Sequence, residues 1–527
     1  MKDLTALKIV LWIVALCSFI GSVWLTSETL EGNTAPLYGF LALLLVLVFL
    51  FGLRDRCWLI LPFCMGMQGN LNFLPIRFSM LELATLGCLA STTLFYIMGD
   101  RRKITLGPML HRIPLLIICS IALIHWVKTG NIGLRMFGSE TVGARPIFTI
   151  LVAGISYLLI HYLARNDSKD LRLVPWLYLG GATIDFVSQG ITFLMPGLAV
   201  PIYRFYSNVN TEAYFYMMGG DMQGGIVRFG AINHFVLALA LALVAQFPPP
   251  TWLKPSRMWV PLMLLGCLLG SIYGGFRSGL ATLAVHISAA CFATTRAFVL
   301  VLGILAIGFC AALAQMHGKV FDLPLSMQRT LSFFPGDWDS RITISSAGSN
   351  EFRLKVIDLY LREYAMANML IGSGWAIPKE FVQEAEEAWW QKVPTADPDA
   401  EIRRVIELRN EHWGWINAHH TTGLLGLVSL AILTVGSLVW MLRRLSRLPV
   451  AMISPPMVWG FSILFYQGIV FLFMGQPLRD CLPVISVVVA LMGVLFEEID
   501  RSLATPQPRA FAWGRASRTP EVAPAWK

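Results

Sequence analysis

Apolar runs about 17–24 residues long recur from one end to the other of this 527-residue chain. A helix rises 1.5 Å per residue, so each run is long enough to cross the roughly 30 Å hydrocarbon core of a bilayer. A membrane β-barrel would show short stretches of alternating polar and apolar residues instead. The sequence therefore predicts an all-α, polytopic membrane protein.

Composition excludes the main alternatives. The chain is 56% hydrophobic and only 14% charged, whereas soluble domains carry roughly 25% charged residues. A chain of this length could not cover a soluble core with so few polar side chains, which excludes a cytoplasmic enzyme, a disordered scaffold and a secreted disulfide domain. The nine cysteines lie in or beside apolar segments without CxxC spacing, as expected of small core residues.

About fourteen spans (12–14) are predicted from these runs. They are roughly residues 9–26, 36–53, 57–75, 80–98, 113–127, 146–164, 173–195, 230–247, 258–275, 278–293, 297–316, 419–442, 455–475 and 481–496. The first is interpreted as an uncleaved span, because it is too long for a signal peptide and lacks a clear cleavage site. The third is the weakest, since Pro62 bends it and Gln68 and Asn70 interrupt it.

Successive connecting segments are alternately rich and poor in lysine and arginine. The rich segments mark the cytoplasmic side of a membrane protein. With fourteen spans this places both termini in the cytoplasm. The net charge of +9 then reflects anchoring to anionic lipids rather than a nucleic-acid partner.

The same topology divides the chain into four parts. Residues 1–316 form the first part of the bundle, with an outside loop at 196–229. Residues 317–418 form a large helical periplasmic loop over the outer mouth, 419–498 the last spans, and 499–527 a disordered cytoplasmic tail.

Three arginines on the predicted outer side are candidate anion ligands. They are Arg228 in GGIVRFGAINHF, Arg277 in SIYGGFRSGLATL and Arg353 in SNEFRLKVIDLYL. A guanidinium is always charged and can donate two parallel hydrogen bonds to a diphosphate. The alternative for each is an interfacial arginine that extends to the lipid headgroups.

Histidines and tryptophans gather just before the twelfth span. His412 in NEHWGWINAHHTTGLLGL is a candidate general base, with Glu411 beside it and His419 and His420 following. The candidate sugar-stacking residues are Trp375, Trp389, Trp390, Trp413 and Trp415; tryptophan is also common at membrane interfaces. Asp337 and Asp339 have the DxD spacing of metal-binding transferases, but an exposed turn is favoured, and no metal site is predicted.

Four of these stretches together resemble the O-antigen ligase and O-antigen polymerase superfamily of bacterial membrane glycosyltransferases. They are RFGAINHF, YGGFRSGL, FRLKVIDLYLREYAMANMLIGSGW and HWGWINAHHTTGLLGL, and the match covers roughly residues 225–440. The chain departs from the family pattern at Trp413 and Trp415, where the family has asparagine and tyrosine. The flanks of Arg277 differ as well.

The resemblance implies an inverting, metal-independent glycosyl transfer without a cofactor. The donor would be a glycan on undecaprenyl diphosphate, with the lipid between helices. Arg228, Arg277 and Arg353 would bind the diphosphate and stabilise the leaving group, with Arg277 among the catalytic residues, and His412 would deprotonate the acceptor hydroxyl.

Several functions share this pattern. A surface-polysaccharide polymerase is favoured, with a chain-length regulator as a candidate partner. A ligase that transfers the glycan to a lipid A core, or a protein O-glycosylating relative, would use the same chemistry. A lipid-linked glycan flippase is the alternative from another class, but it would need charged residues deep in many spans.

Overall fold

The computed structural model describes most of the chain between residues 52 and 504. The described ranges are 52–72, 78–99, 105–129, 145–164, 168–210, 229–296, 298–367, 369–375, 399–409, 411, 413–449, 452–473 and 477–504. Within them every regular element is a helix, accompanied by isolated β-bridges, which confirms the all-helical class. The first predicted span, nearly all of the second, most of the outside loop and the tail after residue 504 lie outside the described residues. Residues 499–504, predicted to begin the disordered tail, are helical.

Seventeen α-helices are present in this part of the chain. They are α1 Ile60–Met65, α2 Met80–Ile97, α3 Met109–Thr129, α4 Arg145–Leu163, α5 Val174–Leu194, α6 Ala199–Phe205, α7 Gly230–Gln246, α8 Trp259–Tyr273, α9 Arg277–Thr294, α10 Phe298–Met316, α11 Leu325–Leu331, α12 Ser340–Leu359, α13 Ala400–Glu407, α14 Gly414–Ala431, α15 Ser437–Arg447, α16 Pro455–Phe473 and α17 Leu478–Ala504. Single π-helical turns follow α12, at Tyr360–Tyr364, and α14, at Ile432–Gly436.

Seven helical segments of the described chain are long and apolar enough to cross a membrane. They are Met80–Ile97, Met109–Lys128, Arg145–Leu163, Pro255–Tyr273, Phe298–Met316, Gly414–Arg447 and Leu478–Leu503. Each coincides with a predicted span. The prediction of about fourteen spans is not confirmed, because the other predicted spans do not coincide with such a segment or lie outside the described residues.

The third predicted span, 57–75, is not one continuous helix. A short 3₁₀ helix leads into α1, which ends at Met65, and the chain from Gly66 to Asn72 is not helical. The backbone amides freed by this break are bonded by side chains: Gln68 N donates to Asp185 at 2.7 Å, and Asn70 N donates to Ser207 at 2.7 Å. The interruption seen in the sequence is thus a half-helix that ends inside the protein, where neighbours satisfy its polar backbone.

Cross-helix bonds group the helix ends into two sets. The starts of α2, α4, α7, α9, α14 and α17 lie at one end of the bundle, which we call the mouth. There Arg145 at the start of α4 is paired with Glu82 in the first turn of α2, and Ala231 N in α7 donates to Gln189 near the end of α5 at 2.9 Å. At the opposite end Arg444 is paired with Asp500.

A small helical unit, α11–α13, lies between α10 and α14. Its apolar core joins α12 and α13 to the first turn of α14 and consists of Val356, Leu359, Tyr360, Ile402, Ile406 and Ile416. The second amphipathic stretch in this region, KEFVQEAEEAWWQKV, lies outside the described residues. The helices that are described cover part of the mouth.

Candidate active site at the mouth

Arg277 is the first residue of α9, directly after the turn formed by Gly274 and Gly275. Its Nε donates to the carbonyl of Arg329 in α11 at 3.1 Å, and the positive charge of Arg353 in α12 is near enough to repel it. Two cations held close together cost energy unless an anion lies between them. Two of the three arginines predicted to bind the diphosphate are therefore within electrostatic range of each other.

Arg228 lies outside the described residues, but the chain that follows it meets the same turn. Phe229, the residue before α7, donates its backbone N–H to the carbonyl of Gly274 at 3.4 Å. The sequence-distant stretches RFGAINHF and YGGFRSGL are therefore in contact. Arg277 is the first residue of an 18-residue helix, where the helix dipole adds further positive potential.

An apolar groove runs away from Arg277 between α8, α9 and α10. It has a volume of about 720 Å³ and is lined almost entirely by aliphatic and aromatic side chains. Leu280 and Ala281, in the first turn of α9, and Phe333 and Phe334, which follow α11, lie at its mouth end. A hydrocarbon chain is the ligand that such a lining suits.

A second, polar cavity of about 720 Å³ lies on the other side of the same turn. Phe276, Ser278 and Gly279, the immediate neighbours of Arg277, line it. Further lining side chains come from the starts of α2, α4, α7 and α17, the end of α16 and the non-helical segment after α1. The six residues from Phe276 to Ala281 thus separate a polar cavity from an apolar groove.

A buried polar cluster links α14 to the segment before it. Glu411 is 1% exposed; its carboxylate accepts from His420 Nδ1 at 2.5 Å and from Asn417 Nδ2 at 2.7 Å. Arg409 Nη1 donates to His420 Nε2 at 2.8 Å. Because a guanidinium can only donate, His420 carries its proton on Nδ1 and directs it to Glu411.

This cluster changes the role expected of Glu411. Its neighbour in the chain, His412, lies outside the described residues, and the histidine that Glu411 holds is His420. Burial lowers the pKa of Arg409, while the carboxylates of Glu411 and Glu407 act in the opposite direction. Both ring nitrogens of His420 are occupied, so His420 serves as a fixed link between Glu411 and Arg409.

His419 has a more open position than His420. Its Nδ1 lies 2.6 Å from the hydroxyl of Tyr360, and its side chain is only partly buried. Burial, with a further contribution from Glu411, raises the pKa of the Tyr360 phenol above its usual range, so the hydroxyl keeps its proton. Among the described residues, His419 Nε2 has no hydrogen-bond partner.

Two glycine-containing motifs meet through their backbones. Within α14, Gly423 has φ 64° and ψ −167°, which breaks the helix. The segment 369–374 bonds the backbone around this break: Ser373 N donates to the carbonyl of His420 at 2.8 Å, and Leu424 N donates to that of Met369 at 2.8 Å. The Gly372–Gly374 turn and the HHTTGLLG stretch, fifty residues apart, therefore form one unit.

The predicted sugar-stacking tryptophans have different environments. Trp375 is 3% exposed and packs edge-on to His125. Trp413 and Trp415 are partly buried against the core of the small helical unit, and Trp413 Nε1 donates to the carbonyl of Arg353 at 3.3 Å. Trp389 and Trp390 lie outside the described residues. Sugar stacking stays a prediction for these residues.

The DxD pair lies on the small helical unit, where Asp337 is exposed and Asp339 partly buried. Within the described ranges, no three histidine, cysteine, aspartate or glutamate side chains cluster in a way that could hold a metal ion.

Sequence reasoning missed the residues around the polar cavity. Arg145, Glu82, Asn233 and Gln467 all line it, yet none was singled out. The available signal was a polar side chain within or beside an apolar run; Asn233 even lies in the motif quoted for Arg228.

Comparison with known proteins gives no relative: no protein-family model and no curated protein matches this chain. The resemblance to the O-antigen ligase and polymerase superfamily therefore depends on the motifs alone.

Proposed function

We propose that this protein is an inner-membrane glycosyltransferase. It transfers an oligosaccharide or polysaccharide from undecaprenyl diphosphate to a sugar hydroxyl at the periplasmic face. One observation carries the proposal: Arg277, close enough to Arg353 for the two charges to repel each other, lies between an apolar groove on one side and a polar cavity on the other. A lipid-linked glycan has the same three parts in the same order, namely a hydrocarbon chain, a diphosphate and a sugar.

The reaction forms one bond and breaks one. The acceptor oxygen attacks the anomeric carbon, and the bond from that carbon to the diphosphate oxygen breaks with its electron pair on the diphosphate. Arg277 and Arg353, with Arg228, stabilise the charge that develops on the leaving group. The acceptor proton passes to a general base, for which His412 remains the proposed residue, and inversion follows from attack opposite the diphosphate.

A polymerase is the proposed form of this activity. Its acceptor is a second lipid-linked glycan, and a chain-length regulator is a candidate partner. The ligase, with lipid A core as acceptor, uses the same donor site, so the two differ in the acceptor that the purified protein accepts.

The decisive experiment measures transfer by the purified full-length protein from an undecaprenyl-diphosphate glycan. Arg277→Ala and Arg353→Ala should each lower the rate about 100-fold or more, the typical cost of one preorganised transition-state donor. Arg447→Ala is the matched control, because Arg447 is exposed at the opposite end of the bundle, and it should keep full activity.

His412→Ala belongs in the same series and should lower the rate by about 100-fold or more, the usual contribution of general base catalysis. Full activity of both Arg277→Ala and His412→Ala would show that the assignment is wrong. Offering a second lipid-linked glycan and a lipid A core as competing acceptors separates polymerase from ligase.

A further inference from the structure

The polar cavity contains buried polar atoms that have no partner. Arg145 Nη1, Asn233 Nδ2 and Gln467 Oε1 are buried and unbonded among the described residues, and the residues that carry them all line the cavity. A buried polar group without a partner costs about 1–3 kcal/mol. A ligand in the cavity that reaches these two donors and one acceptor would supply the partners that they lack.

Each of these side chains is held in place by its own contacts. Ser271 donates to Asn233 Oδ1 at 3.1 Å, which leaves Nδ2 as the free donor. A Cβ on Gly274 or Gly279 would lie only 2.4 or 2.5 Å from the Asn233 amide. The glycines beside Arg277 thus make room for Asn233, and a side chain held in this way is preorganised for binding.

Arg145 is fixed by a carboxylate. Its Nη2 is paired with Glu82, which is 3% exposed and also accepts from Thr149 Oγ1 at 2.5 Å. The positive charge of Arg145 is therefore neutralised, while its Nη1 still offers a strong donor. Arg145 is itself only 5% exposed.

The charges on the described cavity lining cancel in pairs. Arg145 is balanced by Glu82, and Arg479 lies 3.6 Å from Asp480. A ligand with its own negative charge would find no unpaired cation on this described lining, because Arg277 and Arg353 are assigned to the diphosphate, and burying an unpaired charge is costly. The lining therefore favours a neutral ligand.

Aromatic rings complete the lining. Phe276, Tyr178, Tyr466 and His234 contribute to it, and flat aromatic surfaces suit the apolar faces of sugar rings. Fixed donors and an acceptor, together with aromatic rings and no net charge, are the features that recognise a hydroxyl-rich ring.

We propose that the polar cavity binds a neutral sugar of the donor, the one next to the diphosphate, and rejects an acidic sugar at that position. Asn233, Gln467 and Arg145 bond its hydroxyl groups, while Arg277 and Arg353 hold the diphosphate. This inference rests on the proposed function and adds the class of sugar to it.

The test compares three probes on the purified full-length protein in detergent, with affinity measured by thermophoresis. The probes are farnesyl diphosphate, farnesyl diphosphate carrying glucose, and farnesyl diphosphate carrying glucuronic acid. The two sugars differ only in a hydroxymethyl group against a carboxylate. We expect the glucose compound to bind roughly 10-fold more tightly than the bare diphosphate, as two or three net hydrogen bonds would provide, and the glucuronate compound to lack this gain.

Variants then locate the gain. Asn233→Asp replaces the free donor with an oxygen and adds a negative charge beside the glycines that flank Arg277, and Gln467→Met removes the free acceptor at nearly constant volume. Each should reduce the preference for the glucose compound over bare farnesyl diphosphate by roughly 3- to 10-fold. Gln467→Met should still bind bare farnesyl diphosphate, which shows that this variant is folded. Ser462→Ala, on the same helix as Gln467 but bonded to His286 O instead, should keep the preference.

Equal binding of the bare and glucose compounds, or equal binding of glucose and glucuronate, overturns the inference and leaves the proposed function standing. Unaltered preference in both Asn233→Asp and Gln467→Met also overturns it. A wild-type protein that binds no prenyl diphosphate at all overturns the proposed function together with the inference.

Discussion

Glu411 lies nine residues before His420 in the chain, and its buried carboxylate joins His420 and Asn417. Asn417 in turn accepts from the backbone of Leu478 at the start of α17. Each member thus has at least one partner. Such a network is stabilising while it is complete and costly when it loses one member.

Removing the Glu411 side chain should therefore destabilise the protein. Glu411→Ala leaves His420 Nδ1 without its acceptor and removes a carboxylate that offsets the buried charge of Arg409, and truncating one partner of a buried charged pair costs about 3–5 kcal/mol. Unfolding of the purified protein in mixed micelles measures this loss. Glu351→Ala is the matched control, because Glu351 and Lys355 form an exposed i,i+4 pair worth at most a few tenths of a kcal/mol. Equal stability of the two variants would contradict this role for Glu411.

At the scale of helices, the break in α14 depends on glycine at two facing positions. Gly423 and Gly372 both have positive φ, 64° and 73°. A Cβ on Gly423 would lie 2.3 Å from the backbone carbon of Leu370, and a Cβ on Gly372 would lie 2.5 Å from that of Thr421. Neither backbone can move without losing the hydrogen bonds that join the two segments.

Gly423→Ala and Gly372→Ala should each cost about 2 kcal/mol or more, from left-handed backbone strain and the clash together. The yield and the thermal unfolding of the detergent-purified variants report this cost. Gly308→Ala in α10 serves as control, since a Cβ there meets nothing within 4 Å and alanine favours a helix. A Gly423→Ala protein as stable as Gly308→Ala would show that the backbone contact is not needed.

At the scale of the whole molecule, the helix ends form two opposite sets, and the proposed function assigns the mouth to the periplasm. Asp337, near the mouth, and Ser446, at the other end, are both exposed. The described native cysteines are buried or partly buried. Cys17 lies outside the described residues, so it is replaced by alanine. Labelling then reports on the introduced cysteine.

A membrane-impermeant maleimide should label Asp337→Cys in intact spheroplasts and label Ser446→Cys only after lysis. The Cys17→Ala protein without an introduced cysteine should remain unlabelled in intact and in lysed spheroplasts. Labelling of Ser446→Cys in intact spheroplasts would reverse the orientation and remove the periplasmic assignment of the site.

The sequence predicted individual helices more fully than the site. Runs near 80–98, 146–164 and 297–316 became helices at nearly those bounds, because helical hydrogen bonds form within a segment and an apolar run of that length needs only itself to satisfy its backbone. The third run failed as a single helix, since Asp185 and Ser207, more than a hundred residues away, bond its freed amides.

By itself, then, the sequence determined an all-helical protein with apolar helices of membrane-spanning length, and it singled out Arg277 and Arg353. Only the tertiary structure decided that these arginines lie within electrostatic range of each other and that Glu411 holds His420. It also decided that Asn233, Arg145 and Gln467 line a common cavity. Helical hydrogen bonding and hydrophobicity are local and can be predicted from the order of the residues. The pairing of polar groups that are distant in the sequence depends on how the helices pack.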